Sequence, residues 1–360
     1  MEVVVLNTNF EVIALLDVFK SLIWTDRYDQ YGDFEIYIPA DSNTLKFLNE
    51  DHYLFTKDSE HGMIVEQKSI ESDVEDGDYV AITGRSLESI LTRRIIWGTK
   101  VLTGNFQDAI ETLLNEAIIA PSDQDRKIEN FIFQKSNDPK ITELTIDAQY
   151  TCSNLYTTIE ELCKKNHIGF KVVLNETNQF VFSLYAGVDR SYSQTTNPYV
   201  VFSPNFENIA NSNYYTSKMN YKNVTLVVGE GEEFEYATTV TVGSASGLDR
   251  REMFTDASNT SSDSSEATLT EDEYLALLKE MGDKDLNTNS IKTAFEGEVD
   301  ATNMFVYGED FFVGDIVQIA NEYGHEGTVY ISELVLSQGE DGTSVYPTFK
   351  TVQEEEEDSE

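Results

Sequence analysis

Cysteine is scarce in this 360-residue chain: only Cys152 and Cys163 occur, too few for a disulfide framework. The expectation is a protein made and assembled in a reducing cytoplasm. Long apolar runs are missing too. Nothing approaches the ~18 uninterrupted apolar residues a membrane-spanning helix needs. The opening Met1-Glu2-Val3-Val4-Val5-Leu6-Asn7 carries no basic leader, so it reads as a first strand turning at Asn7-Thr8-Asn9, not as a signal peptide.

Positive charge is the largest deficit. Against 65 acidic residues stand 25 basic ones, a formal net charge of −40. Such a polyanion repels phosphate backbones and anionic headgroups, which argues against stable nucleic-acid binding and direct membrane binding. It also makes chance carboxylate pairs abundant, so paired acids carry no argument for acid–base catalysis.

Catalytic motifs are likewise missing. The four histidines, His52, His61, His167 and His325, form no H-E-x-x-H or H-x-H pair, and each reads as a residue near a turn. Gly84-Arg85-Ser86-Leu87-Glu88 lacks the second glycine of a nucleophile elbow, and Ser86 reads as a helix cap. Cys163 and His167, four apart on a helix, read as a structural thiol and a local polar group. Asp283-Lys284-Asp285-Leu286-Asn287 opens like a calcium loop, but Thr288 and Ala294 stand where a glycine and a glutamate are required. Gly229-Glu230-Gly231-Glu232-Glu233 is too acidic for a phosphate loop. The sequence therefore carries no catalytic, cofactor or metal site.

What is present is apolar and aromatic material, 40% and 11% of residues, enough for two to four packed domains. Phe34, Ile36 and Ile38 alternate with Glu35 and Tyr37, the period of a strand with one buried face. The pattern divides the chain into a mostly β region over 1–103 and an α/β insert over 104–195. A second β region covers 196–257, a loop-and-helix insert 258–292, closing strands 293–352, and an acidic tail 353–360. Within these segments Asn105 caps a helix, as does Asn154. The helix after Asn154 exits near Gly169. Phe170–Leu174 and Phe180–Tyr185 make a hairpin, and Asn223–Gly229 pairs with Ala237–Val242. Thr270 and Glu273 form a capping box for a helix ending at Gly282, and Met304–Tyr307 reads as a strand. The fold class is α+β, mainly β. Trp24 and Trp97 adjoin β-branched residues and read as core, with a subunit interface as the alternative.

Four strand-and-turn blocks are spread along the chain. The first runs Ile23-Trp24-Thr25-Asp26-Arg27-Tyr28 and leads to Gly32–Pro39. The second is Ile82-Thr83-Gly84-Arg85-Ser86-Leu87-Glu88-Ser89-Ile90-Leu91 with Arg93-Arg94. Gly247-Leu248-Asp249-Arg250-Arg251-Glu252 is the third, and Tyr307–Val317 the fourth. In this order the chain resembles the tail-tip hub proteins of long-tailed bacteriophages, in the siphovirus tail-protein family. The resemblance implies two barrel-like β domains per subunit, joined as a homotrimer into a ring that continues the tail tube at the virion tail tip. Its implied partners are the distal tail protein, the tape measure protein and receptor-binding or spike proteins. It makes Trp24, Arg27, Arg85, Arg93, Arg94, Asp249, Arg250, Arg251 and Glu252 candidates for intersubunit pairing, with intrachain pairing that fixes turns as the alternative. Two other functions fit the composition, a virion adhesion or carbohydrate-binding module using its 19 tyrosines and a tail-associated cell-wall hydrolase. A phage-derived bacteriocin or injection particle would have the same architecture.

Overall fold

Strand alternation and helix caps place most elements of the computed structural model where the patterns put them. The structure describes all residues except 41–43, 74–76, 232–234, 263–268, 300–303, 322, 324–325, 340–341 and 352–360. Asp76, Glu232, Glu233, His325, part of the polar loop after Ser258 and the acidic tail therefore lie outside the described residues. The strands are β1 Val3–Leu6, β2 Val12–Leu16, β3 Ser21–Arg27, β4 Asp33–Pro39, β5 Tyr53–Thr56, β6 Met63–Asp73, β7 Gly77–Ser86, β8 Thr99–Asn105, β9 Phe131–Gln134, β10 Thr145–Thr151, β11 Gly169–Leu174 and β12 Phe180–Tyr185. They continue as β13 Val201–Phe202, β14 Ile209–Ser217, β15 Val224–Val228, β16 Ala237–Thr241, β17 Glu252–Asp256, β18 Lys292–Val299, β19 Ile316–Ala320, β20 Glu326–Gly339 and β21 Gly342–Thr351. The helices are α1 Thr44–Phe47, α2 Phe106–Leu114, α3 Pro139–Thr142, α4 Leu155–Lys165 and α5 Glu271–Thr288. The fold is α+β and mainly β.

The chain forms two compact units, residues 1–213 with 295–360, and residues 214–294. A 13-stranded sheet carries the first. Its order is β14-β18-β21-β20-β3-β4-β7-β6-β5-β1-β2, with β19 added to β20 and β13 to β19. The early and late β regions, expected as two barrel-like domains, are thus one continuous sheet through the antiparallel β3–β20 pair, and no closed barrel forms among the described residues. Trp24 stands opposite Phe34 on one side and Leu336 on the other, fully buried in a core drawn from both ends of the chain.

The α/β segment has its own core. Phe106, Ile110, Leu113 and Leu114 of α2 and Leu155, Ile159 and Leu162 of α4 share that core with Phe170 and Val172 of β11 and Phe180, Phe182 and Leu184 of β12. Asn105 caps α2 by accepting from the Gln107 and Asp108 amides, and Asn154 caps α4 through Tyr156 and Thr157. Helix α4 ends through His167 in the left-handed region (φ 51°). Gly169, the expected exit residue, serves close packing instead, since a Cβ there would lie 2.4 Å from the Tyr28 ring. The helix expected after Ser86 is a 3₁₀ turn over Leu87–Arg93, and the Ser86 hydroxyl makes no cap hydrogen bond.

In residues 214–294, β15 pairs antiparallel with β16 and parallel with β17, and Tyr274, Leu278 and Leu286 of α5 share a core with Val227 and Val240. The strands expected in a second β region and the helix expected as a separate insert therefore build one unit. Thr270 and Glu273 form the capping box. Helix α5 does not stop at Gly282. A Cβ there would sit 2.7 Å from Val227 and Val240 methyls, so this glycine lets helix and sheet approach. The calcium-like run from Asp283 is consequently helical up to Thr288 and cannot wrap an ion as a loop would. Met304–Tyr307 forms no strand: among its described residues only Tyr307 pairs, in an isolated bridge with Phe311.

Gly84 has a comparable duty in the large sheet. Opposite Val65 at the β6 bulge, its Cβ would fall 1.9 Å from the Ile64 carbonyl oxygen. Gly84→Ala is expected to destabilise the fold by at least ~1–3 kcal/mol through overpacking. Chemical denaturation checks this as a lower midpoint with an unchanged slope.

Candidate functional site

Three of the four sequence blocks converge on the Tyr28 end of β3. Arg27 pairs with Asp33 and, at 2.5 Å, with Glu333 of β20, and donates to the Tyr31 carbonyl. Arg85 grips Glu66 with two bonds of 2.6 Å and lies over the Tyr31 ring at 5.0 Å. The Ser86 hydroxyl accepts from the Gly32 amide at 2.7 Å, locking the β3–β4 turn to β7. The Tyr28 hydroxyl donates to the His167 carbonyl at 2.9 Å and accepts from the Gly187 amide at 3.1 Å. Its ring lies so close to the fourth block that a Cβ on Gly314 (φ +93°) would be 2.2 Å away. Burial pushes the Tyr28 hydroxyl above its ordinary range, so it stays a neutral donor. Beyond it, the buried Asp315 holds the return from the insert. It pairs with Arg190 at 2.7 Å and accepts from the Val188 and Phe312 amides.

The remaining candidates are dispersed. Arg93 makes a loose 3.5 Å pair with Asp51. Arg94 donates to the Arg126 and Arg93 carbonyls. In the 214–294 unit, Arg250 pairs with Glu252 at 2.6 Å, and Arg251 reaches the Lys218 carbonyl and the Tyr221 ring. The Asp249 carbonyl accepts from Asn223 at 2.9 Å. Trp24 is core. Trp97, expected there too, is 49% exposed under the Arg126 guanidinium, 4.0 Å from the ring centre.

A buried polar cluster has no counterpart among the sequence expectations. His61, expected as a turn residue, is only 4% exposed, with Nδ1 3.0 Å from Oε1 of the fully buried Glu88. The same Glu88 oxygen accepts from the Val172 amide of β11 at 2.8 Å. Asp26, also fully buried, accepts from the Ser59 hydroxyl at 2.7 and 2.8 Å and from the Tyr307 hydroxyl at 2.8 Å. The sequence does hold a signal for it: an aspartate two residues from both Trp24 and Tyr28, on the strand face they share, demands partners.

The electrostatics follow from this geometry. Burial alone would lower His61, but Glu88 and Asp26 outweigh it and raise the imidazolium from 6.5 to about 9. Burial works to raise Glu88, yet the His61 charge and hydrogen bonds hold it below its ordinary range. At Asp26 burial prevails over His61, Ser59 and Tyr307, and the carboxyl is raised. The residues superficially match a serine–histidine–acid set. Their bonding does not: Ser59 gives its proton to Asp26 and receives the His61 main-chain amide, so it is not poised on the imidazole. The cluster ties β3, the 57–62 turn, the 3₁₀ turn, the insert and the Tyr307 segment together. No group of three or more His, Cys, Asp or Glu able to hold a metal ion is found among the described residues.

An open many-stranded sheet joined through a long-range strand pair, with an α/β segment docked on it, is a fold shared with tail proteins of phages and prophages. A tail protein from Neisseria meningitidis MC58 shares the fold at a TM-score of 0.58 and 13% identity, covering 97% of this chain and 95% of that one. The 43 kDa tail protein of prophage MuSo2 from Shewanella oneidensis matches at 0.59 and 10% identity, over 98% of both chains. Prophage tail protein gp18 from Listeria monocytogenes EGD-e matches at 0.54 and 13%, over 97% and 94%. No curated protein matches the sequence. The chain belongs to the family of siphovirus ReqiPepy6 Gp37-like proteins, whose sequence profile matches residues 2–349. It is thus a member of a siphovirus protein family with the fold of phage and prophage tail proteins.

The His61 cluster yields two expectations. His61→Gln leaves two buried carboxylates without their cation and is expected to cost about 3–5 kcal/mol, read by thermal or urea unfolding. Because the folded state raises the His61 pKa, its contribution is complete below 6.5 and is lost as pH climbs through about 9. The melting temperature of the wild type should therefore fall across that window, while that of His61→Gln should not follow it.

Proposed function

We propose that this protein is a phage tail protein and the tip hub: a non-catalytic homotrimer whose ring continues the tail tube and anchors receptor-binding or spike components. In this reading it sits between the distal tail protein and the tip, has the tape measure protein among its partners, and assembles in the host cytoplasm. The observation that supports the reading best is the unclosed sheet. Strand β2 ends the strand order on one side and β14 on the other. Val12 and Leu15 of β2, 68% and 57% exposed, turn apolar side chains outward along that edge. An edge strand with bare backbone groups and apolar flanks is a liability in a lone subunit. Head-to-tail joining of edges removes it, and a rotation that closes makes a ring. Non-catalysis is supported by Ser59 and His61, each committed to a buried carboxylate.

Light scattering after size exclusion tests the assembly. A species of three times the 40.7 kDa chain mass is expected. Leu15→Lys, which sets a charge on the edge, should return it to the single-chain mass with its melting temperature unchanged. A wild type that stays at single-chain mass, alone and when mixed with the distal tail protein, would defeat the trimeric-hub reading.

A further inference from the structure

In a chain with 65 acidic and 25 basic residues, a guanidinium without a carboxylate is conspicuous. Around the exposed Ile95 and Trp97, two such groups stand together. Arg94 bonds the Arg126 and Arg93 carbonyls. Arg126 donates to the Ile95 carbonyl at 2.6 Å and lies over Trp97. Neither forms an ion pair with a described acid, although Asp123 and Asp125 are close in sequence. The adjacent lysines are already neutralised, Lys100 by Glu116 at 2.7 Å and Lys127 by Glu129 at 2.9 Å. Arg93 adds a third positive charge, held only by the loose Asp51 contact. Burial lowers the Arg94 guanidinium, and the charges of Arg126 and Arg93 lower it further. Like charges are thus held together by main-chain carbonyls beside an indole and an isoleucine that are each about half exposed, 49% and 46%.

We propose that the Arg93, Arg94, Arg126, Ile95 and Trp97 surface binds an acidic polypeptide segment of another tail component, one that also carries an apolar or aromatic side chain. The N–H groups that these main-chain contacts leave unspent on Arg94 and Arg126 suit carboxylates, and Trp and Arg are among the residues most enriched at binding hot spots. The half-apolar character of the patch favours a peptide over a phosphate polymer. A long polyanion would gain the arginines and then run onto a surface of net charge −40. This inference stands apart from the hub reading, since it needs only a neighbour and not a trimer.

The test uses the full chain and a synthetic peptide alternating glutamates with leucine and phenylalanine. Trp97 is the reporter, because the other tryptophan, Trp24, is fully buried. The expected result is a saturable change in tryptophan emission that weakens steeply with salt. Arg94→Gln with Arg126→Gln should weaken binding by tenfold or more at an unchanged melting temperature. Trp97→Ala, a change on the surface, should weaken it too, read by calorimetry. Absence of binding, or binding indifferent to both variants, overturns the proposal. So does tighter binding of polyphosphate than of the peptide, which would assign the patch to phosphate. An oligomer of the chain alone that Arg126→Gln dissolves would assign it to a second copy and overturn it equally.

Discussion

The pairing of β3 with β20 is the contact on which the rest of this molecule depends. It joins residues some three hundred positions apart, so it must offset a large loop-closure entropy before any other long-range contact is rewarded. Its compensation is concentrated at one end. Arg27 bridges Asp33 and Glu333, Tyr28 threads between Gly169 and Gly314, and Asp26 enters the buried cluster with Tyr307. Because one cross-strand neighbour of Trp24, Leu336, comes from the far end of the chain, this core is complete only when the two ends meet. Non-local topology of this kind is slow to fold and cooperative once folded.

The insert is fixed to that seam by few but demanding contacts. The Val172 amide bonds Glu88, the His167 carbonyl bonds Tyr28, and Asp315 with Arg190 fastens the returning chain. Each involves a group that would be costly to leave buried and unpaired, so the α/β segment has one favourable seat on the sheet. The scarce arginines work similarly. Arg27, Arg85 and Arg190 each fix a turn or crossing in place, whereas Arg94 and Arg126 fix little beyond a loop.

Much of this is legible in the sequence where the cause is local. Alternation marks β4, and Asn105, Asn154 and the Thr270–Glu273 pair mark helix starts, because caps act within three residues. What the sequence hides is set by distant partners. Ser86 bonds Gly32 and not its own turn, Gly282 is small because Val227 and Val240 face it, and His61 is buried because Glu88 and Asp26 fold over it. Trp97 next to Ile95 and Ile96 has the pattern of core, and only the position of Arg126 shows otherwise. The continuity of the two β regions is invisible for the same reason: no local pattern says which strand β20 will join.

The exposed edge of β2 has a consequence for the chain on its own in solution. A bare strand flanked by Val12 and Leu15 invites pairing with any other newly made copy, in registers that lead to fibres as easily as to a closed particle. The net negative charge slows encounters between copies until a correctly shaped surface compensates the repulsion. High ionic strength would screen that repulsion, so the protein's greatest hazard is a salty and concentrated solution without its neighbours.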